Sequence, residues 1–86
     1  MTTTWTGDGA DLLASTALNF DNGIPSAINA AVFDGVTGGV PNKACTWDIA
    51  EVLAVDIQVG YTGVITQSVD VWIYTDLDNV SGTSGQ

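Results

Sequence analysis

Two stretches decide how this chain folds: Ile49 to Val59, which reads IAEVLAVDIQV, and Ser68 to Thr75, which reads SVDVWIYT. In the first, Ile49, Leu53, Val55, Ile57 and Val59 share one parity, interrupted by Glu51, while Ala50, Val52, Ala54, Asp56 and Gln58 take the other. In the second, Val69, Val71 and Ile73 continue the apolar set, and Asp70, Trp72, Tyr74 and Asp76 occupy the opposite one. Successive side chains of a strand point to opposite faces, so this period predicts two half-buried strands. The connector, Gly60 to Gln67, carries Gly60 and Gly63 around Tyr61 and Thr62 and is of hairpin size. It predicts that the two strands are antiparallel neighbours, because no long crossover separates them. The odd face is then core, and two aromatics, Trp72 and Tyr74, lie on the wetter face.

Working outward, the preceding residues supply further short strands. Leu12, Ala14, Thr16, Leu18 and Phe20 share a parity that suits a strand, although Leu13, Ala17 and Phe20 also fit helical spacing. Asp21-Asn22-Gly23 reads as a turn, and Pro25 blocks continued pairing. Ser26 to Phe33 fits a strand through Ile28, Ala30 and Val32, with a short helix capped by Ser26 as its rival. Asp34 to Asn42, with Gly35, Gly38, Gly39 and Pro41, is loop, and Ala44 to Trp47 starts a strand with Cys45 and Trp47 on one side. The expected fold is all-β, a small antiparallel β-sandwich or partly open barrel. The expected organisation is an extended N-terminal arm over 1–9, one domain over 10–80 and a flexible Gly/Ser tail over 81–86. The Thr-rich Met1 to Gly9 is anchored in either of two ways: as an arm held by Trp5 that reaches a neighbour, or as an ordinary first strand.

Composition narrows function chiefly by exclusion. The chain has 86 residues and a net charge of −9, with nine Asp, Glu51, a single basic side chain (Lys43) and no His. Nucleic-acid affinity rests on Lys and Arg neutralising phosphates, and anionic lipid heads need basic patches, so neither partner is expected. An apolar fraction of 45% argues against disorder. The first residues lack the basic start and apolar run of a signal peptide, and no stretch approaches a membrane span, so the reading is of a soluble protein made in the cytosol. A chain this short buries a small core, and with Cys45 alone it forms no internal disulfide, which leaves association as the expected remedy.

No residue set calls for catalysis. A catalytic Cys45 would need a base or cation to form its thiolate, and Lys43 is the nearest. Lys43 in its Gly-rich loop lacks the Gly-Lys-Ser/Thr triplet of a phosphate loop. Asp76 with Asp78, or Glu51 with Asp70, supplies a carboxylate pair without room for a sugar cleft. No cofactor or metal is expected. Zinc lacks ligands, and the weak calcium candidates Asp76, Asp78 and Asn79, with Asp21 and Asn22 or Asp8 and Asp11 as reserves, read first as turn formers. Trp5, Trp72 and Tyr74 are the expected interface residues, since aromatics are enriched at interface cores.

The run Val55-Asp56-Ile57-Gln58-Val59, a short loop, then Val69-Asp70-Val71-Trp72-Ile73-Tyr74-Thr75-Asp76-Leu77-Asp78-Asn79 resembles small β-sandwich structural proteins of tailed bacteriophages. In these a loose strand-and-turn motif, valine-Asp-Val-aromatic followed by Asp-Gly, recurs. The resemblance covers about a third of the chain, and it departs from the motif in lacking the Gly after Asp and the strands beyond it. It implies a non-enzymatic virion component on the exterior surface, such as a capsid decoration or cement protein or a head-fibre or tail module. Its implied partners are other virion proteins, major capsid or tail subunits, with the chain itself a homo-oligomer whose sheet is completed by a neighbour. The alternatives are a carbohydrate-binding module using Trp72 and Tyr74, and a subunit of a cellular filament or adhesin.

Overall fold

The computed structural model describes residues 2–75. It holds seven short strands, β1 (Thr2–Thr4), β2 (Ala30–Phe33), β3 (Cys45–Trp47), β4 (Glu51–Val52), β5 (Val55–Ile57), β6 (Ile65–Gln67) and β7 (Trp72–Ile73), and one 3-10 turn, Ala17–Asn19. The protein is all-β, but its ladders are parallel. The sheets run β1-β2-β5, β3-β6 and β4-β7, and every strand-to-strand pairing is parallel. The expected antiparallel hairpin is corrected: β5 pairs with β2, and β7 with β4.

The registers describe a winding. Thr3 lies beside Ala31, and Ala31 beside Val55. Leu13 bridges Thr46, and Cys45 lies beside Ile65. On the third wall Leu53 N–H donates to Ser26 O at 2.7 Å, and Glu51 lies beside Trp72. Each wall thus orders its segments from early to late in the chain, and the chain makes three stacked coils, about 2–29, 30–54 and 55–75. Parallel pairing needs a crossover of a dozen or more residues, and here the rest of one coil serves as that crossover in place of a helix.

The stretch Ile49 to Val59 is two strands meeting at a corner. Val52 on β4 is buried and so is Val55 on β5, so the inward parity changes at Leu53 and Ala54. Val59, expected in the core, is 85% exposed. The expected strand through Leu12 to Phe20 is a loop with the 3-10 turn instead. Its centre is Asn19, fully buried, whose Nδ2 donates to Leu13 O at 2.9 Å and to Asp11 Oδ1 at 3.2 Å, while Oδ1 accepts from Gly9 N–H at 2.7 Å. An amide that satisfies buried backbone groups in this way replaces the ladder that a strand would have supplied.

Stacking sorts the core into columns. Thr3, Ala31 and Val55 form one, and Trp5, Phe33 and Ile57 the next, with all six buried. Phe33 is the hub: its ring lies 5.7 Å from Trp5, 6.0 Å from Phe20 and 5.2 Å from Tyr61. Trp5 therefore belongs to the interior, and Thr2–Thr4 to the sheet. The first-strand alternative holds; Thr2 to Trp5 form no free arm, and Trp5 presents nothing to a partner. Gly35 marks the passage from the second coil toward the third. Its φ of 74° lies in the left-handed region, and a methyl group there would overlap the Gly60 carbonyl and come within 2.8 Å of the Tyr61 nitrogen.

Candidate functional site

The two ends of the stack differ. At the first-coil end, the outer edge of β1 is covered by the chain's own Asn19 to Asn22. Thr6 N–H donates to Asn19 O at 2.7 Å, Asp21 N–H to Thr4 O at 3.0 Å, and Thr4 N–H to Asp21 Oδ1 at 2.8 Å, with Trp5 and Phe20 in an antiparallel bridge. At the last-coil end nothing comparable is seen among the described residues. Residues of a parallel ladder alternate in the direction of their N–H and C=O groups. The registers leave the main-chain groups of Val55 and Ile57 on β5, Ile65 and Gln67 on β6, and Ile73 on β7 pointing out of the stack, without a hydrogen-bond partner among the described residues. Beside this end a shallow open depression is lined by Gln67, Ser68, Val69 and Asp70.

The outer wall of β4 and β7 carries the aromatics expected there. Val71 and Ile73 pack against the core, which turns Trp72 and Tyr74 outward, 67% and 51% exposed. Their ring centroids are 6.4 Å apart at an interplanar angle of 64°, an edge-to-face corner. Tyr74 OH donates to the Glu51 carboxylate, and the ladder register sets Glu51 beside Trp72. That hydrogen bond, above all, holds the Tyr74 hydroxyl above the usual phenol range, with slight burial and the Glu51 charge acting in the same direction. Asp70, also exposed, precedes Trp72 by two residues. Of the three expected interface residues, Trp72 and Tyr74 share this wall and Trp5 is interior.

The groups weighed for chemistry are engaged structurally. Lys43 Nζ donates to Gly7 O at 3.1 Å and Gly9 O at 2.8 Å, while Lys43 O accepts from Trp5 Nε1 at 3.0 Å and Tyr61 OH at 2.8 Å. The one lysine side chain thus ties the second coil to the first. Cys45 is 1% exposed, and burial, reinforced by the Asp48 charge, pushes its thiol up to about 12. A thiol held so far above neutral pH supplies almost no thiolate. Burial likewise raises the Tyr61 hydroxyl. Asp34 caps its loop: Oδ1 accepts from Val36 N–H at 2.9 Å and Thr37 N–H at 3.0 Å, and Oδ2 from Thr37 Oγ1 at 2.5 Å. Desolvation raises its carboxyl, but these donors outweigh that and lower it overall.

Glu51 and Asp70 are both exposed on the outer surface, and Asp70 lines the open depression. Among the described residues no group of three His, Cys, Asp or Glu is placed to hold a metal ion, and no helix is long and apolar enough to cross a membrane. Asp76, Asp78 and Asn79 lie outside the described residues, as does the Gly/Ser segment 81–86.

The missed feature is the edge of the last coil, whose outward main-chain groups have no partner among the described residues. Side-chain pattern carries no signal of it, and the winding behind it shows only as ladder partners 20 to 28 residues apart, too irregular to read as a repeat. Comparison of the chain with protein-family models, curated proteins and solved structures gave no match.

Proposed function

We propose that this chain is a non-enzymatic structural module of a tailed-phage virion, a decoration or cement protein on the exterior surface that joins neighbouring subunits. The observation that carries the reading is the contrast between the two ends of the stack: the first coil is covered by its own chain, while five residues of the last offer free main-chain donors and acceptors among the described residues. Exposed strand edges are normally blunted or used, and adding a strand to one is a common mode of recognition. The resemblance of 55–59 and 69–79 to phage structural proteins supplies the setting. The finer expectation of a sheet completed by a neighbour takes a new form here, in which the added strand continues a parallel stack.

The test is co-sedimentation of the purified chain with capsids and tails that lack it. Saturable binding is expected, together with its loss in Gln67→Pro. That residue is exposed and its N–H points out of the stack, so proline removes an outward donor and spares the ladder. A chain that remains free of both particles overturns the proposal. The carbohydrate reading keeps one observation in its favour, the exposure of Trp72 and Tyr74, and glycan binding lost in Trp72→Ala with no particle binding is the outcome that would install it.

A further inference from the structure

The outer wall of β4 and β7 adjoins the edge of the last coil but offers side chains in place of main-chain groups. We infer that it is a docking site for a basic partner segment, one that seats an arginine or lysine side chain against Trp72 and Tyr74 and pairs it with Glu51 and Asp70. This deepens the assembly reading and rests on it, since it names the chemistry of the surface that the chain would bind.

Three observations converge. The rings of Trp72 and Tyr74 meet at 64° rather than lying in one plane, so they make a corner and not the flat platform on which a sugar ring stacks. A cation within about 6 Å of an aromatic face is drawn to the ring's negative π-cloud, and indole is the strongest such face. Glu51 is fixed at that corner by the Tyr74 hydroxyl and by its register with Trp72, and Asp70 adds a second exposed carboxylate two residues upstream of Trp72. Carboxylates beside an aromatic corner repel an anionic guest and attract a cationic one.

Charge complementarity then fixes the occupant. The chain carries −9, and its one basic side chain is drawn into the Gly7 and Gly9 carbonyls on another part of the molecule. No side chain of this protein can neutralise the wall, so a second copy of the same chain meets it with repulsion. A basic segment of a different protein removes that repulsion and covers the exposed indole in one step, and complementary charge also speeds the encounter.

The probe is a blocked peptide alternating glycine and arginine, with a control in which each arginine is replaced by citrulline, which keeps the shape and removes the charge. Trp5 and Trp47 are buried and Trp72 is not, so the Trp72 indole N–H resonance reports the wall selectively. Saturable shifts are expected with the arginine peptide, weakening as salt rises. Trp72→Ala and Glu51→Gln are each expected to weaken binding about fivefold, the size of one exposed cation–π contact or ion pair. Both positions are exposed, and Trp72→Phe, which keeps a ring, is expected to retain part of the affinity. Equal binding of the citrulline peptide overturns the inference, as does a Trp72 shift with soluble oligosaccharides and none with the arginine peptide. Peptide binding in a chain that joins no capsid or tail leaves the cation site standing and removes the assembly reading. Particle binding unaffected by Trp72→Ala and Glu51→Gln does the reverse.

Discussion

Two glycines with similar backbones and opposite surroundings test the stacking of the coils. Gly23 has φ 88° and Gly35 φ 74°, both in the left-handed region. At Gly23 a methyl group would meet nothing within 4 Å, so Gly23→Ala bears only the conformational cost of an L-residue there, about 1 kcal/mol. At Gly35 the same methyl collides with main-chain atoms of Gly60 and Tyr61. Backbone cannot step aside as a side chain does. The second and third coils must separate beside Phe33, whose carbonyl accepts from Gln58 N–H at 2.9 Å, and beside the Phe33–Tyr61 ring contact. The left-handed backbone again costs about 1 kcal/mol, losing that hydrogen bond about 1 kcal/mol more, and overpacking strain adds about 1–3 kcal/mol, so Gly35→Ala should cost about 3–5 kcal/mol in all. Against a total stability of about 4–13 kcal/mol for a chain of this length, that loss is between about a quarter and the whole of it. Urea denaturation followed by near-ultraviolet circular dichroism reads both variants. With a slope of about 1 kcal/mol per molar urea, Gly23→Ala should lower the midpoint by about 1 M and Gly35→Ala by about 3 M or more. Equal midpoints for the two variants would refute the close approach of the second and third coils.

Phe33→Ala should cost about 3–5 kcal/mol, because it empties the position touched by Trp5, Phe20 and Tyr61, whereas Phe33→Leu should cost distinctly less; thermal melts of the pair check this. The Cys45 thiol should react with a disulfide reagent only as fast as the protein unfolds, and a prompt native-state reaction would contradict its burial. The folded-state carboxyls of Asp34 and Asp11 lie below their ordinary values, Asp11 through the Thr16 hydroxyl and Leu13 N–H. Groups so lowered stabilise the fold above the unfolded carboxylate pKa near 3.9, and that stability is lost as pH falls through the folded values. Unfolding midpoints measured from neutral pH downward should therefore fall on the acid side, and less steeply in Asp34→Ala than in the parent.

The sequence made some of this legible. Cys45 and Trp47 share a buried side as their spacing predicts, Asp34 to Asn42 is loop, and Trp72 and Tyr74 face outward. Lys43 lacks a phosphate-loop pattern, and the structure gives its ammonium a structural role. The topology was not legible, for a definite reason. Alternation reports which side a residue faces and carries no record of a corner, so Val52 and Val55, inward on two different walls, read as one strand crossing its own parity. Nor does it name a partner: whether Thr2 to Trp5 reaches out or pairs in depends on Ala31, Phe33 and the Lys43 carbonyl, all distant in the chain. The bare edge of the last coil is a property of main-chain direction, which side-chain pattern does not encode.

Lys43 and the aromatic hub also bear on how the chain reaches this state. No described strand pairs with a neighbour across a tight turn; ladder partners sit 20 or more residues apart, as Cys45 and Ile65 or Thr3 and Ala31 do. Closing a loop of 33 residues rather than 20 costs only about 0.4 kcal/mol more, too little to make one coil form ahead of another. Meanwhile Trp5 and Phe20 come from the first coil, Phe33 from the second and Tyr61 from the third. The hub is complete only when all three coils are present. Linear arrays of repeats can nucleate locally and grow, but this stack has no portion able to stand alone. Its folding should be a single slow event on the scale of milliseconds to seconds, as for other chains dominated by distant contacts.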